Sequence, residues 1–491
     1  MNGRTSRNAL AGAVQTVVSA GLMFAFYRVV LQEVGADGLG LWSVVLASLS
    51  AARVSELGLS GSAVKYTAAR IAQGDPDAAS RVVETTVLTV GGVMAVAAGL
   101  AYLVLGSLLP TFVPASGLEA ARALLPYACV SFWLTSVGGA FQSGLDGCGR
   151  IDLRNAIALA SQVIYVALGV WWVREGGLVG LALAQIVQGA VLGVAVWGGV
   201  RHALPTAPLL PWRWDGELFR EMLRYGLSFQ ALSLLRMLFE PTTKVLMSAF
   251  GGLAAAGFYE MATLLVTKLR ALVIAAQQAL TPQIAYLHER APERVDAVYD
   301  RVNGVSAYVT VPLFCGLAVA APLASHLWIG AYEPAFVLFV DVLAAGWLVN
   351  TLSGPAFFLL LGTGEMGGVV WSHVTTAVLN AVLGAVLGWR WGAVGVAVGW
   401  AFALAAGAAH LIAALYRDRG LAPQWPAHAT VGLVAPLLVA AVGAVLVRPE
   451  SLAASAAVAL VAAAVLGALA WVSPYRSEVL GLLRGAVSPG R

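Results

Sequence analysis

The chain has 491 residues, 59% of them hydrophobic and only 11% charged, with a mean hydropathy of +0.82 and a formal net charge of +4. A water-soluble protein of this length needs far more charge to cover its surface, so lipid must serve as much of its solvent. The small net charge excludes nucleic acid as an expected partner, and the scattered Cys129, Cys148 and Cys315 show neither a disulfide framework nor metal-ligand spacing.

Arg4 and Arg7 precede an apolar run too long for a signal-peptide core, with no small-residue cleavage site close behind. It reads as the first of fourteen predicted spans, near 8–32, 39–61, 84–109, 121–144, 155–173, 178–200, 222–250, 252–279, 302–329, 336–361, 368–388, 392–415, 428–447 and 451–473. The expected fold is therefore an all-α polytopic membrane protein of about 14 transmembrane helices. With the N-terminus inside, nineteen basic residues fall on the cytoplasmic side, among them Lys65, Arg70, Arg213, Arg220 and Arg224. Only Arg122, Arg174, Arg390 and Arg448 fall outside, which satisfies the positive-inside rule and puts both termini in the cytoplasm.

The chain repeats itself. Gly147-Cys148-Gly149 and its following span match Gly362-Thr363-Gly364 at an offset of 215, as do Gly177 and Gly180 with Gly392 and Gly395. Earlier in each half the offset is about 217, which pairs Gly40-Leu41-Trp42 with Gly257-Phe258-Tyr259. The expected organisation is an N-lobe at 1–200, a cytoplasmic linker at 201–221, a C-lobe at 222–415, and accessory helices 13 and 14 with a tail at 416–491. Two parallel six-helix lobes of this kind are typical of transporters, with substrate bound between the halves.

Six cations remain inside predicted spans: Arg28, Arg53, Arg236, Lys244, Lys268 and Arg270. Three carboxylates join them, Glu56, Glu240 and Glu260. All nine fall on helices 1, 2, 7 and 8, the first two of each repeat, and Arg53 maps onto Arg270 at the offset of 217. Each charge costs about 3 kcal/mol at the bilayer centre, so such groups face the bundle interior or a wet cavity. Structural ion pairs, Arg236 with Glu240 and Arg53 with Glu56, account for part of them. The surplus of cations points to an anionic ligand such as a phosphate or pyrophosphate. The carboxylates Glu240, Glu260 and Glu56 are the candidates for coupling to H+ or Na+. No metal site or cofactor is expected, and His326, His373 and His410 are isolated.

The stretches Gly35-Ala36-Asp37-Gly38-Leu39-Gly40-Leu41-Trp42-Ser43 and Glu56-Leu57-Gly58-Leu59-Ser60-Gly61-Ser62-Ala63, running to Lys65-Tyr66, resemble the start of bacterial polysaccharide (O-antigen type) flippases. These belong to the multidrug/oligosaccharidyl-lipid/polysaccharide exporter superfamily. The resemblance implies twelve core helices in two lobes plus two extra helices. It implies a multi-pass protein of the bacterial cytoplasmic (inner) membrane that moves an undecaprenyl-diphosphate-linked oligosaccharide by alternating access. It also implies a cationic lumen matched here by location, a tail groove on helices 13 and 14, and a polysaccharide polymerase as partner beside lipid-linked oligosaccharide and membrane lipid. The alternatives are a lipid II flippase and a MATE-like drug or metabolite exporter, whose cationic substrates favour a carboxylate-rich cavity. A polyprenyl-linked glycosyltransferase or ligase needs a sizeable charged outer loop, which the sequence lacks; the expectation is a transporter, not an enzyme.

Overall fold

A computed structural model describes residues 3–56, 58–278, 290–420 and 451–472, with single positions between 280 and 288 and at 436 besides. Among these residues every regular element is a helix. The helices are α1 (Gly3–Ser50), α2 (Leu59–Ala72), α3 (Pro76–Phe112), α4 (Ala115–Gly147), α5 (Ile151–Ala203), α6 (Gly216–Gln278), α7 (Val295–Trp328), α8 (Pro334–Leu352), α9 (Gly354–Thr363), α10 (Met366–Arg419) and α11 (Leu452–Val472). Lipid offers no hydrogen bonds, and a helix satisfies its backbone internally.

Eight helical stretches among the described residues are long and apolar enough to cross a membrane. Four of them contain one glycine with non-helical angles: Gly35 (φ 70°, ψ 178°), Gly177 (53°, −132°), Gly252 (82°, 174°) and Gly392 (61°, −142°). Each glycine separates two arms, and these turns fall at the boundaries expected between spans. In α10 the arms fold back on one another, since the Ser372 hydroxyl donates to the Gly407 carbonyl at 2.8 Å. In α5 a Cβ on Gly199 would lie 3.2 Å from Leu153. The eight stretches among the described residues are thus divided by these glycines into twelve helical arms. The apolar helix α11 matches the last predicted span, and the span expected at 428–447 lies outside the described residues, as does the tail.

The turns carry the repeat in their geometry. Gly35 and Gly252, 217 residues apart, have nearly the same angles, and so do Gly177 and Gly392, 215 apart. Gly149 (φ 68°) and Gly364 (φ 81°) form a third pair. Close approaches repeat as well. A Cβ on Gly180 would strike the Trp172 carbonyl, and one on Gly395 would strike the Leu387 carbonyl, again 215 apart. Only a glycine meets both demands, positive φ at the turn and bare backbone beside it.

The chain forms two compact units, Met1–Gly257 and Phe258–Arg491. In the first, α4 packs on α3 and α5, and α1 packs on α5. The start of α6 joins this unit: the Ser62 hydroxyl donates to the Met222 carbonyl at 2.9 Å, and the Ser248 hydroxyl to the Phe112 carbonyl at 2.6 Å. Gly40 and Gly257, equivalents at the offset of 217, meet here with backbone against backbone. A Cβ on Gly40 would run into the Leu253 carbonyl, and one on Gly257 into the carbonyl of Ala36, the equivalent of Leu253. In the second unit α8 packs on α7 and α10, and α11 packs on α7. There Gln277 donates to the Ser306 hydroxyl (2.5 Å) and the Thr351 carbonyl (3.2 Å), which joins α6 to α7 and α8.

Replacing Gly40 or Gly257 by Ala forces the two backbones apart, an overpacking cost of about 1–3 kcal/mol. Thermal unfolding in detergent reads it as a lowered Tm. Gly99→Ala, where nothing lies within 4 Å of the new Cβ, should leave Tm unchanged or raise it. Equal Tm values for the Gly40 and Gly99 variants would contradict the close crossing.

Candidate functional site

The second predicted span, 39–61, is not one continuous helix. The α-helix stops at Ser50, a 3-10 turn covers Ala51–Glu56, Gly58 takes the left-handed conformation (φ 69°), and α2 carries on to Ala72. Arg53 and Glu56 sit on the 3-10 turn, where residues three apart eclipse one another. Arg53 is exposed and Glu56 half-buried. Arg28 is exposed on the first arm of α1, beside the buried Phe26 and Tyr27.

On α6 Glu240 pairs with Lys244, while the expected Arg236–Glu240 pair involves an arginine side chain outside the described residues. Glu240 accepts from Lys244 Nζ at 2.9 Å, with the lysine side chain 8% exposed and the carboxylate 59%. A glutamate four residues before a lysine is the better order on a helix than an arginine four before a glutamate. Arg236 lies on the helical backbone of α6, and its side chain is outside the described residues. Lys268 and Glu260 are half-buried on the second arm of α6. Arg270 is held in the second unit. Its guanidinium stacks over Trp347, 4.0 Å from the ring centroid, and donates to Asn350 Oδ1 at 3.1 Å. A cation held over an indole is favoured most where water is excluded. Arg28, Arg53 and Lys244 therefore belong to the first unit, and Lys268 and Arg270 to the second.

Two carboxylates were passed over in the sequence. Asp341 lies on α8 inside a predicted span, and its Oδ1 is buried with no hydrogen-bond partner among the described residues. Glu84 on α3 is fully buried. Its Oε2 accepts from the backbone N–H of Trp212 (3.2 Å) and of Arg213 (3.1 Å), and its Oε1 accepts from Arg213 Nε at 2.8 Å. Arg213 also donates to Asp77 Oδ1 at 2.7 Å and to the Ser80 hydroxyl at 2.6 Å. The bond to Glu84 raises the Arg213 pKa above its ordinary value, against the opposing effect of burial. The signal available in the sequence was a single Glu at the edge of an apolar run. Nearby, Lys65 Nζ sits 3.7 Å from the Tyr225 ring centroid, and Arg70 pairs with Glu221 at 3.7 Å. Burial, with Glu221 second, pushes the Tyr66 hydroxyl up from its usual value.

These features define a multi-pass α-helical membrane protein built on an internal repeat, with charges concentrated on the helices that open each copy. The family model described as a polysaccharide biosynthesis protein matches residues 82–332, just over half of the chain, and the chain belongs to that family. No curated protein matches it in sequence. Among solved structures it is similar to the lipid II flippase MurJ in an inward closed conformation, with a TM-score of 0.72, 11% identity, and 96% of this chain and 99% of that chain covered. It is also similar to a multidrug resistance MATE family transporter of the MOP superfamily. The inward-facing form gives a TM-score of 0.64 at 15% identity, covering 90% of this chain and 98% of that one. The outward-facing form gives 0.57 at 14% identity, covering 85% and 96%. The fold is thus the one shared by MurJ and the MATE transporters.

Glu84→Ala leaves two backbone N–H groups without their acceptor and removes one of the carboxylates around Arg213. Breaking a buried pair from one side costs about 3–5 kcal/mol. Thermal unfolding should show a clear fall in Tm, with Glu84→Gln, which keeps an acceptor oxygen, lying between. An unchanged Tm for Glu84→Ala would remove this carboxylate from the fold's supports.

Proposed function

We propose that the protein is a flippase that moves an undecaprenyl-diphosphate-linked oligosaccharide across the bacterial cytoplasmic membrane for cell-surface polysaccharide synthesis. One observation carries the reading: in a chain of the polysaccharide biosynthesis family, the opening helices of the two repeats hold six cations against three carboxylates. Arg28, Arg53, Arg236, Lys244, Lys268 and Arg270 are the residues proposed to meet the diphosphate. Positive charge inside lipid is retained against its cost only where it is compensated, and a diphosphate supplies that compensation.

In this mechanism the headgroup enters from the cytoplasmic side while the polyprenyl tail stays in lipid. The two lobes rock about their pseudo-twofold axis and release the headgroup outside. The membrane potential, negative inside, favours outward movement of an anion by about 2.3 kcal/mol per charge per 100 mV. Coupling to protons or sodium would fall to Glu56, Glu260 or Asp341, and less readily to Glu240, which already faces Lys244. The proposed topology has both termini in the cytoplasm, supported by nineteen inner against four outer basic residues. A polysaccharide polymerase is the proposed consumer of the delivered unit.

The similarity to MurJ gives a second reading, in which the cargo is lipid II. Both ligands are lipid diphosphates, so the same cations serve either. A MATE-like exporter of cationic compounds fits the surplus of positive charge poorly.

Replacing Arg53 and Arg270 together by Ala should lower polymer export by at least about tenfold, equivalent to about 1.4 kcal/mol, while membrane-extracted protein keeps its elution volume. Normal export by the double variant would sink the cationic-site model. Wild-type rescue of cells depleted of their lipid II flippase, without any effect on polymer export, would select the second reading.

A further inference from the structure

The segment between α5 and α6, Leu204–Asp215, reads in sequence as a cytoplasmic linker, yet it displays its apolar side chains outward. Leu209, Leu210 and Trp212 are each 71% exposed and Trp214 is 56% exposed. Two leucines and two tryptophans side by side form a contiguous apolar surface that water does not favour.

Several polar groups of the same segment bond to α3, while the Asp215 carboxylate caps the start of α6. Thr206 donates its hydroxyl to the Pro76 carbonyl at 2.9 Å. Arg213 reaches Asp77 and Glu84, and the N–H groups of Trp212 and Arg213 end on Glu84. The Asp215 N–H donates to the Thr85 hydroxyl at 3.1 Å, and the Trp214 indole N–H to the Thr89 hydroxyl at 3.0 Å. The anchors advance along α3 from residue 76 to residue 89, a descent of about 20 Å at 1.5 Å per residue. The segment therefore runs down the side of the helix instead of looping away from it. The outward apolar row of α3 begins at Val96 and continues through Leu100 and Leu103. Val96 lies only about 10 Å beyond Thr89 along the helix. On the other side, Trp197 of α5 donates to the Leu209 carbonyl at 2.9 Å, next to the exposed Val194. The apolar surface of the linker is thus continuous with the outward apolar faces of two spanning helices.

We infer that Leu204–Asp215 is an interfacial strap whose Leu209, Leu210, Trp212 and Trp214 insert into phospholipid at the boundary between headgroups and acyl chains. The level along α3 is the one that tryptophan occupies in membrane proteins, with the ring in lipid and the N–H toward a polar group. Glu84 makes the immersion affordable, because it takes up the two backbone donors and the guanidinium that lipid would leave unpaired. The position of the strap is independent of the cargo.

The test uses the full chain in vesicles of phosphatidylethanolamine and phosphatidylglycerol. Cys129 and Cys315 are buried, so Cys148→Ala leaves a background for single labelling. Bimane is attached at Leu210→Cys, with Leu103→Cys as the lipid reference and Gln73→Cys as the water reference; Trp212→Cys is the second probe should the first variant not fold. At the strap, emission should shift to the blue of the Gln73 position. Phospholipid carrying a nitroxide near its headgroup should quench it about twofold or more, and iodide should quench about threefold less than at Gln73, as expected for an interfacial site. Strong iodide quenching without nitroxide quenching would place the strap in water and overturn the inference. Blue emission quenched by neither reagent would mean that protein covers it, a partner or a second copy, and would overturn it equally.

Discussion

Every backbone donor and acceptor in lipid needs a partner within the protein, and this constraint shapes each part of the structure. It is met by helices, the regular elements of the described residues, and makes each reversal of direction a problem. The chain solves that problem at Gly35, Gly177, Gly252 and Gly392, where a single residue with positive φ turns one arm into the next. Few groups are released by so short a turn. Hydroxyl groups inside the bundle obey the same rule by bonding back along their own helix, as Thr86 does to the Val82 carbonyl and Thr267 to the Thr263 carbonyl.

Charge obeys a harsher form of the same rule. A buried ion keeps its charge only if something nearby substitutes for water. Lys244 has Glu240, Arg270 has the face of Trp347 and the amide of Asn350, and Arg213 has two carboxylates. The solutions differ in kind. Arg213 is surrounded by acceptors that fix it, which suits a structural strut. Arg270 rests on the Trp347 ring and the Asn350 amide oxygen, neutral groups that stabilise a cation without fixing it in a cage of carboxylates.

Much of the fold was legible because its signals are periodic and local. The offsets of 217 and 215 located the turns, and the angles at Gly35 and Gly252, then at Gly177 and Gly392, agree pair by pair. The 3-10 turn at Ala51–Glu56 was not legible, since Ala-Ala-Arg-Val-Ser-Glu carries no Pro or Gly of its own. The Lys244–Glu240 pair was equally hidden: Arg236 and Lys244 are both four residues from Glu240, and spacing alone treats them alike. Asp341 and Glu84 were missed because a lone carboxylate does not spoil the apolar average of a span. Their burial depends on neighbours far along the chain.

The two repeats agree at their outer turns and diverge at the level of their equivalent arginines. Arg53 stands on a 3-10 turn followed by a left-handed Gly58, whereas Arg270 stands in an unbroken helix. A break already in place has given up its regular hydrogen bonds and met the cost in the folded state. Bending there releases little more. Bending the intact helix at Arg270 would open bonds inside lipid, at several kcal/mol for each unsatisfied group. Bending is therefore resisted unequally in the two repeats, and the local compliance lies with the first, at the turn that carries Arg53 and Glu56.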